Sequence, residues 1–176
     1  YNEDVICPLY DSSVDVEGQA YGIMSTSQRN GWKELNFKVP SACGNEENYR
    51  TQYIIADYKV RLIDEEGTDW YIISGPKITH NKKSKSMDVT CGHVAQLLKN
   101  KNLGLEFSDD YGNNIGTARE LLTTVLEGTG WSVGEVEDFK EFTNAISLQK
   151  TVYGSIAYTC SRYENAKSNW RYLFRY

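Results

Sequence analysis

The stretch TARELLTTVLEGTGWSVG, residues 117–134, is where the local sequence patterns agree most fully on one structure. Thr117 can cap a helix while Glu120, three residues later, reaches back to the N–H of the cap, which is the capping-box pattern. The apolar residues that follow recur at helical spacing on one face: Ala118, Leu121, Leu122, Val125 and Leu126. Gly128 can adopt positive φ after the last turn, and Gly130 and Trp131 bring the chain back over that face. The stretch predicts a capped amphipathic helix of about ten residues, followed by a short strand at 131–133.

Working towards the N-terminus, the sequence is dominated by short alternating runs that are typical of strands. In residues 33–39, Leu35, Phe37 and Val39 fall on one face and polar residues on the other, as in a half-buried antiparallel strand. Gly75-Pro76 predicts a break, and Lys82, Lys83 and Lys85 predict a solvated hairpin tip. The predicted strands are residues 5–9, 14–16, 21–25, 33–39, 53–63, 69–73, 77–79 and 86–90, with a loop at 41–48 and a turn at 64–67.

Outside the capped helix, the C-terminal half predicts two more helices and two more strands. Val94, Leu97 and Leu98 fit a short helix over 92–100, and a second helix is predicted over 147–163. Strands are predicted at 102–107 and 170–176. The fold class is therefore α+β: an antiparallel β-barrel-like lobe at 1–103 and an α+β lobe at 104–176. Because the chain lacks an initiator Met and ends in an aromatic strand-like run, we expect it to be part of a longer protein that completes these lobes.

Composition excludes several classes of function. A net charge of −5 in 176 residues argues against a nucleic-acid binder, which needs a basic face. No apolar run approaches the length of about 18 residues that a membrane span needs. The four cysteines, Cys7, Cys43, Cys91 and Cys160, lie far apart without CxxC spacing, which favours reduced thiols over a zinc site or a disulfide framework. Thirteen Tyr and four Trp exceed what a small core needs and indicate interfaces between proteins.

Residues with chemical potential were weighed individually, and each favours a structural role. Cys91 and His93, two apart at the start of a predicted helix, would not face each other, and His80 lies beside the lysine tip. The acidic groups lie in turn-like segments without calcium-loop spacing: Asp64-Glu65-Glu66, Asp109-Asp110 and Glu135, Glu137 and Asp138. The glycine-containing loop at 112–116 lacks the residues of a phosphate loop. We therefore expect no catalytic residue, cofactor or metal ligand in this chain.

The order and spacing of four segments resemble the N-terminal region of siphophage tail-tip hub proteins, the tail-associated lysin or prophage endopeptidase tail family. The segments are LNFKVP at 35–40, YIIADYKVRLIDEEGTDWYIIS at 53–74, MDVTCGHVAQLL at 87–98 and ARELLTTVLEGTGWSVG at 118–134. The helix that ends in Gly-Thr-Gly-Trp is the most specific of the four. Such proteins are akin to the baseplate hubs of contractile tails. They form trimers around a channel and carry peptidase or wall-hydrolase domains further along the chain.

The resemblance implies a virion structural protein, made in the bacterial host cytoplasm and located at the tail tip, that closes the tail tube as a homotrimeric ring. Its implied partners are other tail proteins, namely the distal tail protein and the tape measure protein, with no membrane and no nucleic acid beyond that passing through a channel. The alternative is a carbohydrate-binding or cell-wall-degrading module that stacks Tyr and Trp on sugars. Hydrolysis would require two carboxylates at a fixed separation, whereas the acidic residues here cluster in turns.

Overall fold

The computed structural model describes residues 6–14, 16–27, 33–65, 67–81, 84–103, 115–136, 143–144 and 151–162. The chain divides into two compact units, the first reaching Val94 and the second starting at Ala95. This division lies before the predicted boundary at 103/104. The sequence-based fold class is confirmed, because a β-rich first unit precedes a unit that contains α-helices.

The first unit is organised by a five-stranded antiparallel sheet that curls into a half-barrel. Its strands are β1 (Tyr21–Ser27), β2 (Lys33–Pro40), β5 (Lys59–Asp64), β6 (Gly67–Asn81) and β7 (Ser84–His93), in the spatial order β1-β2-β7-β6-β5. A small hairpin of β3 (Ala42–Cys43) and β4 (Glu46–Glu47) and a 3₁₀ helix (Tyr49–Tyr53) connect β2 to β5. Within the described residues, β1 pairs only with β2 and β5 only with β6, so the sheet is open at both edges.

The core lies on one face of this sheet because the strands alternate apolar and polar residues. Leu35, Phe37 and Val39 of β2 are buried, as predicted, and they pack with Ala20, Ile54, Tyr71, Ile73, Val89 and Cys91. The outer face carries polar side chains such as Lys38, which lies 3.3 Å from Asp88 across the β2–β7 pair. The predicted face of β2 is therefore confirmed.

Several strand predictions in the first unit were wrong, and each error has a local cause. Gly75-Pro76 does not break the sheet: β6 continues through it with a register shift between Ile73 and Gly75, a β-bulge that absorbs the irregularity. Residues 6–9 are not a strand, nor are Val14 and Val16, although Ala20 N–H donates to Leu9 C=O at 2.8 Å. The strand predicted at 53–63 begins only at Lys59, and the loop predicted at 41–48 contains the β3–β4 hairpin. Lys82 and Lys83 of the predicted tip lie outside the described residues.

The second unit contains α1 (Ala118–Leu126) and α2 (Val152–Arg162), which pack through a cluster of Leu98, Val125, Leu126, Val152, Ile156 and Cys160. The predicted capping box is present, since Thr117 N–H donates to Glu120 Oε2 at 2.8 Å and Thr117 Oγ1 accepts from Glu120 N–H at 3.4 Å. Gly128 has the positive φ that was predicted, 65°, and Gly130 also has a positive φ, 83°. Trp131 packs against the cluster, confirming that it covers the helix.

Other predictions in this half are corrected or fall outside the described residues. Residues 92–93 belong to β7, and a 3₁₀ helix (Val94–Lys99) stands where an α-helix was predicted. Residues 131–133 are not a strand. Two short strands pair instead, β8 (Ile115–Gly116) and β9 (Thr143–Asn144), and Asn102 bridges Thr151. The strand at 170–176, the loop at 108–114 and most of the strand at 102–107 lie outside the described residues.

Candidate functional site

Ionisable side chains from three adjacent strands of the first unit meet in one buried to half-buried cluster. Lys33 of β2, His93 of β7 and Tyr71 of β6 occupy one row across the sheet, and Asp69 lies two residues before Tyr71 on the same face. Lys33 Nζ lies 2.5 Å from Asp69 Oδ2, and His93 Nε2 lies 3.4 Å from Asp69 Oδ1. The imidazole meets the Tyr71 ring edge to face, with 5.6 Å between centroids.

Burial shifts the pKa values of two members of this cluster, His93 and Tyr71. His93 is 1% exposed, and removal from water lowers its pKa, an effect that the nearby Asp69 carboxylate partly opposes. The same removal from water raises the pKa of Tyr71, whose hydroxyl lies 3.3 Å from Ser25 Oγ. A neutral imidazole beside an Asp–Lys ion pair suits a polar core element, because buried charges must be paired to be tolerated.

Cys91 and His93 lie on the same face of β7, which the sequence-based prediction did not expect. Because β7 extends to His93, the two residues are i and i+2 on one strand and share its buried face, whereas the helix prediction turned them apart. Burial raises the pKa of the Cys91 thiol to about 12, so it is protonated at neutral pH. A thiol attacks as the thiolate, and this one is fully buried. The pair therefore lacks the chemistry of a Cys–His nucleophile.

Among the other residues weighed from sequence, those that the structure describes are not brought together. Asp64 and Glu65 lie exposed at the turn between β5 and β6, and Glu135 is exposed in the second unit. Glu66, Asp109, Asp110, Glu137 and Asp138 lie outside the described residues, as do Gly112, Asn113 and Asn114. His80 lies on β6, opposite Lys85 of β7. Within the described ranges, no group of three or more His, Cys, Asp or Glu side chains is placed to hold a metal ion.

A second polar centre, Asn48, was not predicted from the sequence. Its Nδ2 donates to Gly18 C=O at 2.7 Å and to Pro40 C=O at 2.8 Å, while its Oδ1 accepts from Arg50 N–H at 3.2 Å. Arg50 Nε in turn donates to Pro8 C=O at 3.1 Å. Together these side chains fasten residues 6–14 and 16–20, here called the N-terminal strap, to the end of β2. Asn before a short helical turn is an N-cap pattern, but nothing in the sequence points to partners 30 and 42 residues away.

The strap and the adjoining edge strand present apolar side chains to solvent. An open groove of about 550 Å³ is lined by strap residues and by Tyr21 at the start of β1. Exposed apolar side chains in its lining are Tyr10, Val14, Val16 and Tyr21, and Ile23 and Met24 are exposed further along β1. The groove's polar groups bond one another, since Gln19 accepts from Asp11 N–H and donates to Val14 C=O. The groove lining is more polar than apolar, so the groove does not by itself favour a protein partner over a sugar.

The comparison with known proteins bears on this same region. Residues 16–91, less than half of the chain, match the family model of the YOMG N-terminal domain. The namesake of that family is a Bacillus prophage protein, and the match supports a phage-related protein. No curated protein and no solved structure gave a significant match. No helix within the described ranges is long and apolar enough to cross a membrane.

Proposed function

We propose that this protein is a structural component of a phage or prophage tail tip or baseplate hub, in which copies of the chain form a trimeric ring that closes the tail tube. One observation carries the proposal. The match to a phage-associated domain family covers residues 16–91, which contain β1, β2, β5, β6 and most of β7. The part of the chain that is related to phage proteins is thus the open, curled sheet.

In this role the chain acts through its shape and its contacts. An open sheet with exposed apolar side chains at its edge is suited to burying surface against other proteins. Its partners are further copies of itself and neighbouring tail proteins, namely the distal tail protein and the tape measure protein. Synthesis takes place in the host cytoplasm and the final location is the virion tail tip. The proposal assigns no peptidase or wall-hydrolase activity to the residues that the structure describes.

The location of the protein in phage particles tests the proposal. Antibodies raised against the chain and detected by immunogold electron microscopy should label the tail tip of particles from a strain that carries the gene. Labelling of the capsid would overturn the hub assignment. Retention of the purified chain on peptidoglycan, abolished by free sugars, would favour the carbohydrate-binding alternative instead.

A further inference from the structure

The carboxylate of Asp69 is shared unequally between two basic side chains. Its Oδ2 accepts a hydrogen bond from Lys33 Nζ at 2.5 Å, whereas its Oδ1 lies 3.4 Å from His93 Nε2, beyond the usual length of about 2.9 Å for such a bond. Oδ1 is a buried oxygen, and within the described residues it accepts no hydrogen bond. Asp69 therefore has a second acceptor, next to the imidazole, that is not used in this state of the cluster.

Protonation of His93 supplies a donor for this oxygen. A neutral imidazole carries a proton on one ring nitrogen, whereas the imidazolium carries one on each, so Nε2 of the charged ring always has a proton to donate. The edge-to-face contact with Tyr71, with 5.6 Å between the ring centroids, fixes the plane of the imidazole and keeps Nε2 beside Oδ1. A hydrogen bond between His93 and Asp69 can therefore form without a change of the backbone.

One carboxylate cannot balance two cations in a site from which water is nearly excluded. The side chain of His93 is 1% exposed, and those of Lys33 and Asp69 are 12% and 15% exposed. While the imidazole is neutral, the Lys33–Asp69 pair leaves the cluster without net charge. After protonation the three side chains carry one unbalanced positive charge, which is costly to bury. One of the two cations must therefore move towards solvent.

Lys33 is the cation that can leave the cluster. It is the first residue of β2 and lies opposite Ser27, the last residue of β1. Its ammonium group ends a flexible chain of four carbons, so it can turn to water while the backbone stays in place. His93 has no such freedom, because it pairs with Tyr71 inside the sheet and its ring cannot reach water unless the sheet opens.

We propose that acid exchanges the partner of Asp69: protonated His93 takes the carboxylate, and Lys33 is released to solvent at the end of the β1–β2 pair. His93 takes one proton from solvent, the hydrogen bond from Nζ to Oδ2 breaks, and a hydrogen bond from Nε2 to Oδ1 forms. The buried cluster stays without net charge, and the surface at this end of the half-barrel gains a cation. The exchange is a property of the folded first unit, so it goes beyond the proposed function and does not depend on it.

His93 is the member of this cluster whose charge we expect to change in mild acid. Burial lowers its pKa, so the exchange occurs below the ordinary value of about 6.5. Within the described residues, the other titratable groups around it are two buried acids and one exposed carboxylate: Tyr71, Cys91 and Asp64. Burial raises the pKa of Tyr71 and raises that of Cys91 to about 12, so neither changes charge in acid. Asp64 lies at the end of β5 and acts on Tyr71, and Ser25 of β1, whose hydroxyl lies 3.3 Å from that of Tyr71, is uncharged.

An NMR titration of the full chain between about pH 7.5 and about pH 4.5 tests the exchange. The ring nitrogens of His93 report its protonation, and the Nζ and Cε signals of Lys33 report its hydrogen bond to Asp69. We expect both residues to change with one common midpoint, because groups coupled this closely titrate together. Lys38 is the matched control, since its Nζ lies 3.3 Å from Asp88 on the opposite face of the sheet. Its signals should show no step at that midpoint.

Two variants separate the exchange from a general response to acid. In His93→Gln the step in the Lys33 signals should disappear, because position 93 no longer takes up a proton. In Lys33→Met, which keeps the length of the side chain and removes its charge, His93 should bind its proton about tenfold more tightly, since it no longer shares Asp69 with a second cation. The second variant keeps the test decisive if His93→Gln does not fold.

Three results would overturn the exchange. The first is a set of Lys33 signals that stays unchanged while His93 titrates, and the second is a step in those signals that persists in His93→Gln. The third is an unchanged proton affinity of His93 in Lys33→Met, because the two cations would then not compete for Asp69. Labelling of the capsid by antibodies would remove the hub role and leave the exchange unaffected.

Discussion

Replacing Asn48 should destabilise the first unit far more than its size suggests. Asn48 is 1% exposed, and its side chain makes three hydrogen bonds, two of them to the carbonyls of Gly18 and Pro40. Asn48→Ala removes all three and leaves the buried Gly18 carbonyl and the half-buried Pro40 carbonyl without these donors. At 0.5–1.5 kcal/mol for each bond, the expected loss is about 2–4 kcal/mol of unfolding free energy.

The choice of measurement matters because the chain has two compact units, and a single global unfolding transition cannot be assumed. Native-state hydrogen exchange reports the first unit directly, through the amides of Ala20 and Ser41, which donate to Leu9 and Lys85 carbonyls. Both amides should exchange faster in Asn48→Ala. The control is Asn45→Ala, three residues earlier on the exposed β3–β4 turn, which should change little. Equal effects of the two variants would refute the fastening role of Asn48.

Three further predictions test other parts of the structure. Gly18→Ala should lower the free energy of unfolding by about 1–3 kcal/mol, because Gly18 has φ of 85° and its added Cβ would lie 2.6 Å from Cys43 Sγ. Gly44 also has a positive φ, 61°, but open space for a Cβ, so Gly44→Ala is the matched control and should cost less. Urea denaturation compares the two variants, and equal midpoints would contradict the clash. In the second unit, Leu121→Ala should lower the free energy of unfolding by about 2–5 kcal/mol and Thr117→Ala by about 1 kcal/mol. Arg119→Ala and Thr117→Asp are the controls, and each should change the free energy of unfolding little in the same measurement. Burial lowers the pKa of His93 in the folded state, so its contribution to stability is fully present above the unfolded pKa of about 6.5 and is lost as pH falls through the lowered folded pKa. His93→Gln should therefore flatten this part of the profile of unfolding free energy against pH. An unchanged profile would show that another group causes the loss of stability in acid.

The features that could be predicted from the sequence are those that depend on interactions between residues close together in the chain. The capping box of α1, the glycines after it and the buried face of β2 all depend on residues within one or two turns or along one strand. In each case the spacing of the residues determines which side chains meet, because a helix brings residues i and i+3 together and successive residues of a strand point to opposite faces. These features were present as expected.

The errors arose where distant segments override a local preference. Gly75-Pro76 was predicted to break the sheet. However, the pairing of β5 with β6 ends at Ile72, so β5 does not pair with β6 at Pro76, and the missing N–H of proline is tolerated there. Residues 92–93 were assigned to a helix because Val94, Leu97 and Leu98 have helical spacing. Pairing of Gly92 with Glu34 and Ile72 holds these residues in β7 instead.

The candidate sites escaped prediction for the same reason. Lys33, Asp69 and His93 come from three strands separated by more than twenty residues each, and no spacing marks them as neighbours. The role of Asn48 likewise depends on a carbonyl 30 residues earlier. The openness of the sheet edges is also invisible in sequence, because it follows from which strands end up last in the spatial order.

The position of β7 between β2 and β6 also constrains how the chain reaches this arrangement. The pairs from Glu34–Gly92 to Pro40–Ser86 close loops of 58 to 46 residues, obtained as 92 − 34 and 86 − 40. Closing loops of that length costs about 3–4 kcal/mol of chain entropy by the (3/2)RT ln n relation. The neighbouring hairpins β5–β6 and β6–β7 close much shorter loops, so we expect this meander to form early and β1–β2 to dock onto it late. During synthesis, the apolar face of β2 therefore remains exposed to solvent until β7 has left the ribosome; its residues are Leu35, Phe37 and Val39. A chaperone or a partner subunit can bind this face most readily in that interval.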